Sequence, residues 1–331
     1  TWGVLRYESW VSGEFSFDEW RERAAEHFRP GDFWELGPGG LIGAALDLAT
    51  ARHQVRGGAD GIDARDPELV ELILDLSRAI GERYFRWTAS GVENVPVDGP
   101  ALLVGNHNGG LQTFDSLLTV VAIRDRVGPE RIVHPLAHDI LFQRQRLREL
   151  AVRFGALRAD HEAASRALDR GRLVLVYPGS DLDSTRRFSH RHRIELGGRT
   201  GFLELALRHR VPIIPVVSVG THEQFIVLSR GDRLARALGL KRRLRAEVFP
   251  IVFSLPWGIT SGFLPYIPLP AQTSLRFGSP ILLGDVDPRD PEALAGSYER
   301  VRSRMQDELD VLAHGRVPFL GSIDALLARW R

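Results

Sequence analysis

Beyond about residue 87 the chain alternates short apolar runs with stretches of helical period. Strands are predicted at 85–90, 101–105, 131–134, 172–177, 213–219, 247–253 and 273–277, and helices at 115–124, 140–152, 161–169, 199–209 and 295–313. Runs such as Ala101-Leu102-Leu103-Val104 and Leu173-Val174-Leu175-Val176 are apolar at every position. That is the pattern of a strand covered on both faces, not of one half exposed to water. The alternation predicts an α/β architecture, a largely parallel central sheet flanked by helices. Residues 1–86 read instead as an N-terminal helical appendage. Phe17 to Phe28 is amphipathic and ends at Arg29-Pro30-Gly31. A second helix opens at Asp66-Pro67-Glu68, with Asp66 as its cap and Pro67 at the first helical position. Its apolar face carries Leu69, Leu72, Leu74, Leu76 and Ile80. The expected division is therefore 1–86, a helical region suited to membrane or lid contact, and 87–331, the α/β domain.

Composition narrows the function classes. The 331 residues carry 43 Lys and Arg against 42 Asp and Glu, so no global charge draws the chain to nucleic acid. Lys241 is the single lysine, and the other positive charges are arginines. The absence of cysteine excludes disulfides and thiol catalysis, and fits a reducing compartment. No uninterrupted apolar run reaches ~18 residues, so a conventional transmembrane helix is not expected. Thr1-Trp2-Gly3 opens the sequence without a basic-then-apolar leader.

The strand at 101–105 runs into Gly105-Asn106-His107-Asn108-Gly109-Gly110-Leu111-Gln112-Thr113-Phe114-Asp115. Loops after the carboxyl ends of parallel strands are where such sheets hold ligands, and Pro178-Gly179 follows its strand in the same way. Histidine titrates near neutral pH, so His107 can take a proton from an alcohol while a carboxylate orients its ring. The plainer reading is a strand-end histidine satisfied by a backbone carbonyl, with Asp115 an ordinary helix cap. Arg186-Arg187-Phe188-Ser189-His190-Arg191-His192-Arg193 is the densest basic run. It suits a lipid phosphate, the phosphates of coenzyme A, an acidic carrier or an anionic membrane, or else a solvated loop. Asp181 and Asp183 are placed either to pair with those arginines or to stand in for a glutamate in the turn after the strand. His134 and His138 are four apart but lack a third ligand, so no metal is expected. Gly37 to Gly43 lacks the third glycine of a dinucleotide fingerprint and any preceding strand. The segment Phe249–Pro270 is rich in aromatic and aliphatic residues and broken by prolines; it suits a lip at the membrane interface or a buried connection.

Three blocks in order carry a family resemblance: Asn106-His107…Asp115, Tyr177-Pro178-Gly179-Ser180-Asp181, and Val211-Pro212-Ile213-Ile214-Pro215-Val216-Val217. With Gly91 to Pro96 and Gly155-Ala156-Leu157-Arg158, they resemble the glycerolipid (lysophospholipid) acyltransferase superfamily over roughly residues 85–285. The resemblance implies transfer of a fatty acyl group from an acyl thioester, acyl-CoA or acyl carrier protein, to a lipid hydroxyl, without a further cofactor or metal. It implies His107 as general base and Asp115 as its partner, with backbone N–H groups steadying the oxyanion. Asn106, Gly109, Gly110, Arg158, Tyr177, Pro178, Gly179, Ser180, Asp181, Arg187, Arg191 and Pro215 are the implied substrate-binding positions. Partners implied are the donor, a lipid acceptor and a membrane surface, and the implied location is the cytoplasm at the inner face of the cell membrane. Two departures stand out. Seven residues separate His107 from Asp115 where the family has four, and Gln112 occupies the usual aspartate position, so Asp115 or Gln112 partners the base. The family's Phe-Pro-Glu-Gly reads Tyr177-Pro178-Gly179-Ser180, nearer the diacylglycerol acyltransferase and phytyl-ester synthase branch. That favours a neutral acceptor; the rival readings are lysophosphatidic acid or glycerol phosphate acylation, and a catalytically inactive lipid-binding homologue.

Overall fold

The structure is a computed structural model that describes residues 62–109, 114–143, 145–239, 248–262, 264 and 266–323. The helix expected at Phe17–Phe28 lies outside the described residues, as do Gly110 and Gln112. The first described helix, α1 (Pro67–Arg83), begins as its sequence requires: the Asp66 side chain accepts from the Leu69 N–H at 3.1 Å, and Pro67 opens the first turn. It packs on α2 (Phe114–Val127).

Chain order then gives β1 (Thr88–Ser90), β2 (Ala101–Gly105), β3 (Val133–Ala137), α3 (Gln145–Phe154), β4 (Leu157–Arg158), α4 (His161–Asp169) and β5 (Leu173–Val176). It continues with α5 (Gly201–His209), β6 (Ile213–Val219), β7 (Ile226–Ser229), β8 (Ile251–Ser254), β9 (Gly258–Ser261), β10 (Ser274–Phe277) and α6 (Pro291–Ala313). Seven strands form the main sheet in the order β1-β10-β6-β2-β5-β3-β4. From β6 to β4 the neighbours are parallel, whereas β10 lies antiparallel to β6 and carries β1 with it. β2 is central, with Val104 level with Val176 on one side and Pro215 on the other.

Alternate residues of these strands feed opposite layers. Leu102, Val104, Val174, Ile213 and Val217 pack with Leu203 of α5 and Val301, Met305 and Leu309 of α6. Leu103, Leu173, Leu175, Ile214 and Val216 pack with Val120 and Val121 of α2 and Val70 and Leu74 of α1. Helices on both faces explain why the strands read as unbroken apolar runs.

The predicted elements shift where local chemistry intervenes. The strand expected from 85 shortens to β1 because Arg86 adopts a left-handed φ of 47°. The helix expected over 140–152 is present as Ile140–Gln143 and α3. The strand expected at 247–253 does not join the main sheet. Instead, β7, β8 and β9 form a separate antiparallel sheet. One face buries Phe225, Val227, Val252 and Tyr266. On the other, Ile226, Phe253 and Ile259 stand level across the three strands. No helix among the described residues is long and apolar enough to cross a membrane.

Candidate active site

The loop after β2 is held from several sides. Asn106, buried, clamps β2 to β6: its amide donates to the Ser218 carbonyl at 3.1 Å and accepts from the Ser218 N–H at 2.8 Å. Asn108 donates to the same carbonyl at 3.1 Å and to the Ser218 hydroxyl at 2.6 Å. Gly109 turns the chain with φ 81°, a conformation that favours glycine, and its carbonyl accepts from the Tyr266 hydroxyl. Between these fixed points lies His107, whose ring stacks on Tyr177 with 4.7 Å between centroids and 30° between planes. Gly105 makes this possible, since a Cβ there would overlap the Tyr177 ring.

Two carboxylates meet this loop. Asp115, buried in the first turn of α2, accepts from the Asn108 N–H at 3.1 Å and the Ser116 N–H at 2.8 Å. The chain therefore folds back over the seven-residue spacing, but Asp115 takes backbone N–H groups. It is not hydrogen-bonded to His107 Nδ1, which has no protein partner among the described residues. Burial raises the Asp115 carboxyl to about 7 against the pull of those N–H donors. Asp183, fully buried, accepts from the His107 N–H and pairs with Arg186. Arg186 in turn donates to the Asn108 side-chain oxygen at 2.6 Å. Burial lowers the Arg186 guanidinium to about 9, which leaves it a cation at neutral pH. Burial and then that cation lower the His107 imidazole to about 4, so the ring is neutral near pH 7. Because the N–H groups of His107 and Asn108 are both engaged by carboxylates, neither is open to steady an oxyanion.

The turn after β5 supplies Tyr177, whose burial and the nearby Asp115 carboxylate hold its phenol well above the ordinary value. The Pro178 carbonyl accepts from Arg199 at 2.7 Å, the buried Gly179 carbonyl accepts from the Asp183 N–H at 3.3 Å, and Ser180 adopts a left-handed φ of 47°. These residues open the short helix Ser180–Ser184, which delivers Asp183 to the loop. Asp181 faces outward and pairs with Arg199 at 3.4 Å. Of the basic run, Arg187 is exposed, while Arg191 lies over the Phe188 ring at 4.4 Å and lines a small cleft beside Asn108. Arg158 stands at β4, three strands from β2, against Asp139 at 3.7 Å and the Phe142 ring at 5.5 Å. Pro215 sits inside the sheet opposite Val104, its carbonyl accepting from the Gly278 N–H at 2.8 Å. In the sequence Arg186 is one charge in a basic run. The signal that sets it apart is its spacing of three from Asp183, which puts the two on one side of a helical turn. His134 is fully taken up elsewhere, by the Gly155 carbonyl at 2.7 Å and Arg172 at 3.1 Å.

The Acyltransferase family profile matches residues 86–219, from just before β1 to the end of β6. An uncharacterized protein of Mycobacterium tuberculosis is 35% identical over 248 residues, covering 74% of this chain and 66% of that protein. The human protein named DGAT1/2-independent enzyme synthesizing storage lipids is 30% identical over 242 residues, covering 72% of this chain and 65% of its own length. The chain thus spans slightly less than two thirds of the curated relatives it matches. Among solved structures, the 1-acyl-sn-glycerophosphate acyltransferase PlsC of Thermotoga maritima is 20% identical, with a TM-score of 0.43 over 73% of this chain and 82% of its own. Residues 86–219 thus form an Acyltransferase-family domain, and the profile match with the sequence relatives supports placing the chain in the glycerolipid acyltransferase superfamily.

Proposed function

We propose that the protein transfers a fatty acyl group from an acyl thioester, acyl-CoA or acyl carrier protein, to a hydroxyl of a neutral lipid, with His107 as general base. The observation that carries this is the state of His107: neutral, fixed by its backbone and its stacked ring, with Nδ1 bound to no protein group among the described residues. An alcohol is a poor nucleophile until its proton leaves. His107 accepts that proton as the oxygen attacks the thioester carbonyl carbon; the carbon–sulfur bond then breaks and the departing thiolate takes the proton from His107. A base so placed contributes ~10²–10⁴-fold. Asp115 and Asp183 act as positioning residues, holding the loop through its backbone.

A neutral acceptor is favoured because the arginine nearest the base is already occupied. Arg186 is engaged by Asp183 and Asn108. The outward face of β7–β9 supports contact with a membrane surface at the inner face of the cell membrane. Residues 248–275 contain no charged side chain, and Phe253, Trp257 and Ile259 are 38%, 48% and 71% exposed.

The test is acyl transfer from radiolabelled acyl-CoA and acyl carrier protein to glycerol phosphate, lysophosphatidic acid, monoacylglycerol, diacylglycerol and a fatty alcohol. Wild type is expected to acylate a neutral acceptor, and His107→Gln to lose at least ~10²-fold while remaining folded. Equal transfer by the two proteins would remove His107 from the chemistry. Preference for a phosphorylated acceptor would replace the neutral reading.

A further inference from the structure

Immediately after β6 the chain places His222 beside the catalytic loop. The residue is 3% exposed, yet neither ring nitrogen has a protein hydrogen-bond partner among the described residues. Buried imidazoles are ordinarily satisfied, so a doubly unpartnered ring needs a reason. His222 lines the small cleft whose other walls include Asn108, Arg191, His192 and Ser218. His192 Nε2 is likewise without a protein partner. Much of the neighbouring charge is engaged by other groups. Glu223 holds Arg316 through both oxygens, at 3.1 and 3.0 Å, and accepts from the Phe319 N–H at 2.6 Å. Arg191 donates to the Phe188 carbonyl at 3.1 Å and stands 3.9 Å from Glu223, with its Nε lacking a hydrogen-bond partner among the described residues, and Arg186 is bound to Asp183 and Asn108.

We infer that His222, with His192 and Asn108 around it, forms a subsite for a second hydroxyl of the acceptor, so that the substrate is a lipid whose headgroup carries two hydroxyls, monoacylglycerol being the simplest. This rests on the acyl-transfer reading above and specifies its acceptor. A neutral imidazole presents one N–H donor and one bare nitrogen acceptor. A hydroxyl both accepts and donates, and so can serve such a ring at either nitrogen. A phosphate under-uses it, because its oxygens accept at the N–H but offer the bare nitrogen no proton. Burial, together with Arg186, His107, His192 and Arg191 nearby, disfavours protonation of His222, which keeps it in the two-faced neutral form. Asn108 connects the two places: its backbone follows His107, and its side chain lines the cleft. One hydroxyl at His107 and another at His222 would fix which oxygen reacts.

The experiment compares wild type with His222→Leu and His222→Gln in three readouts. These are kcat/KM for monoacylglycerol relative to a long-chain primary alcohol, thermal midpoint, and the midpoint shift produced by a short-chain monoacylglycerol with no donor present. The leucine variant is expected to lower the monoacylglycerol-to-alcohol ratio about tenfold, the worth of a neutral hydrogen bond. It should also raise the unliganded midpoint, because an apolar side chain replaces an unsatisfied polar one, and glutamine should restore part of the ratio. An unchanged ratio, or a lowered midpoint with the ratio intact, would mean that His222 serves packing and overturns the subsite. Preference for lysophosphatidic acid over monoacylglycerol, dependent on His222, would overturn the hydroxyl assignment. If wild type transfers to no acceptor, a monoacylglycerol-induced midpoint shift lost in His222→Leu would retain the subsite and reject acyl transfer; absence of that shift would reject the subsite.

Discussion

Asp183 and Asp115 each take one N–H of the His107–Asn108 pair, so the backbone of the loop after β2 is pinned by two buried carboxylates of different character. Asp183 is matched by Arg186, whereas Asp115 is held by the Asn108 and Ser116 N–H groups and the Ser116 side chain and is pushed up to about 7 by burial. The two aspartates should therefore respond differently to removal of charge. Asp183→Asn leaves Arg186 buried without its counterion, and a loss of roughly 3–5 kcal/mol in urea unfolding is expected, with acyl transfer falling in parallel. Asp115→Asn keeps a side-chain acceptor for the Asn108 N–H, so a change below about 1.5 kcal/mol is expected in the same experiment. An Asp115 loss as large as that at Asp183 would contradict this ordering. Much of this residue-level picture was legible in the sequence: an Asn-His pair at a strand end, and an aspartate opening the next helix. What was not legible was which group each carboxylate would hold. Asp181 and Asp183 differ by two positions in a short helix, and only the folded turn shows that Asp183 points inward while Asp181 meets Arg199 at the surface.

At the level of elements, the sheet β7–β9 has an inner cluster that reaches the catalytic loop. The Phe225 and Tyr266 rings pack tilted, with 4.4 Å between centroids, and the Tyr266 hydroxyl donates to the Gly109 carbonyl. Tyr266→Phe keeps the packing and deletes that bond, so a stability loss of about 1 kcal/mol is expected with a several-fold larger effect on transfer rate than on the thermal midpoint would suggest. An undiminished rate would show that the loop holds its shape without the tether. The main sheet was largely readable from unbroken apolar runs, because helices cover both faces. The small sheet was not. Its strands are four residues each, mix Ser, Thr and Gly with apolar residues, and present hydrophobic side chains on both faces, so neither a period of two nor a continuous run stands out. β4, with two residues, is too short to carry a pattern at all.

Across the whole molecule, buried histidines set the response to acid. His107 and His134 are held at about 4 by burial, and His222 lies well below its ordinary value. The unfolded chain protonates these rings near 6.5, so it binds more protons than the folded chain between about 6.5 and 4. Stability therefore falls as pH drops through that window, by about 3 kcal/mol for a group such as His134. Asp115 acts in the opposite sense: the folded state keeps its proton up to about 7, so its contribution falls as pH rises from about 4 to 7. Three rings outweigh one carboxyl, and urea midpoints should decline from pH 7 to pH 5. The decline should be steeper in Asp115→Asn, where the opposing group is gone. A midpoint that rises toward pH 5 would contradict this balance.

The row of Ile226, Phe253 and Ile259 lies one thin layer from Tyr266 and the catalytic loop. An enzyme that rests this face on lipid meets its acceptor in two dimensions, where the mole fraction in the surface, not the bulk molarity, sets occupancy. Diluting the acceptor with inert phospholipid at constant total amount should slow turnover. Replacing Phe253 and Ile259 with serine should weaken vesicle binding while sparing a water-soluble short-chain acceptor.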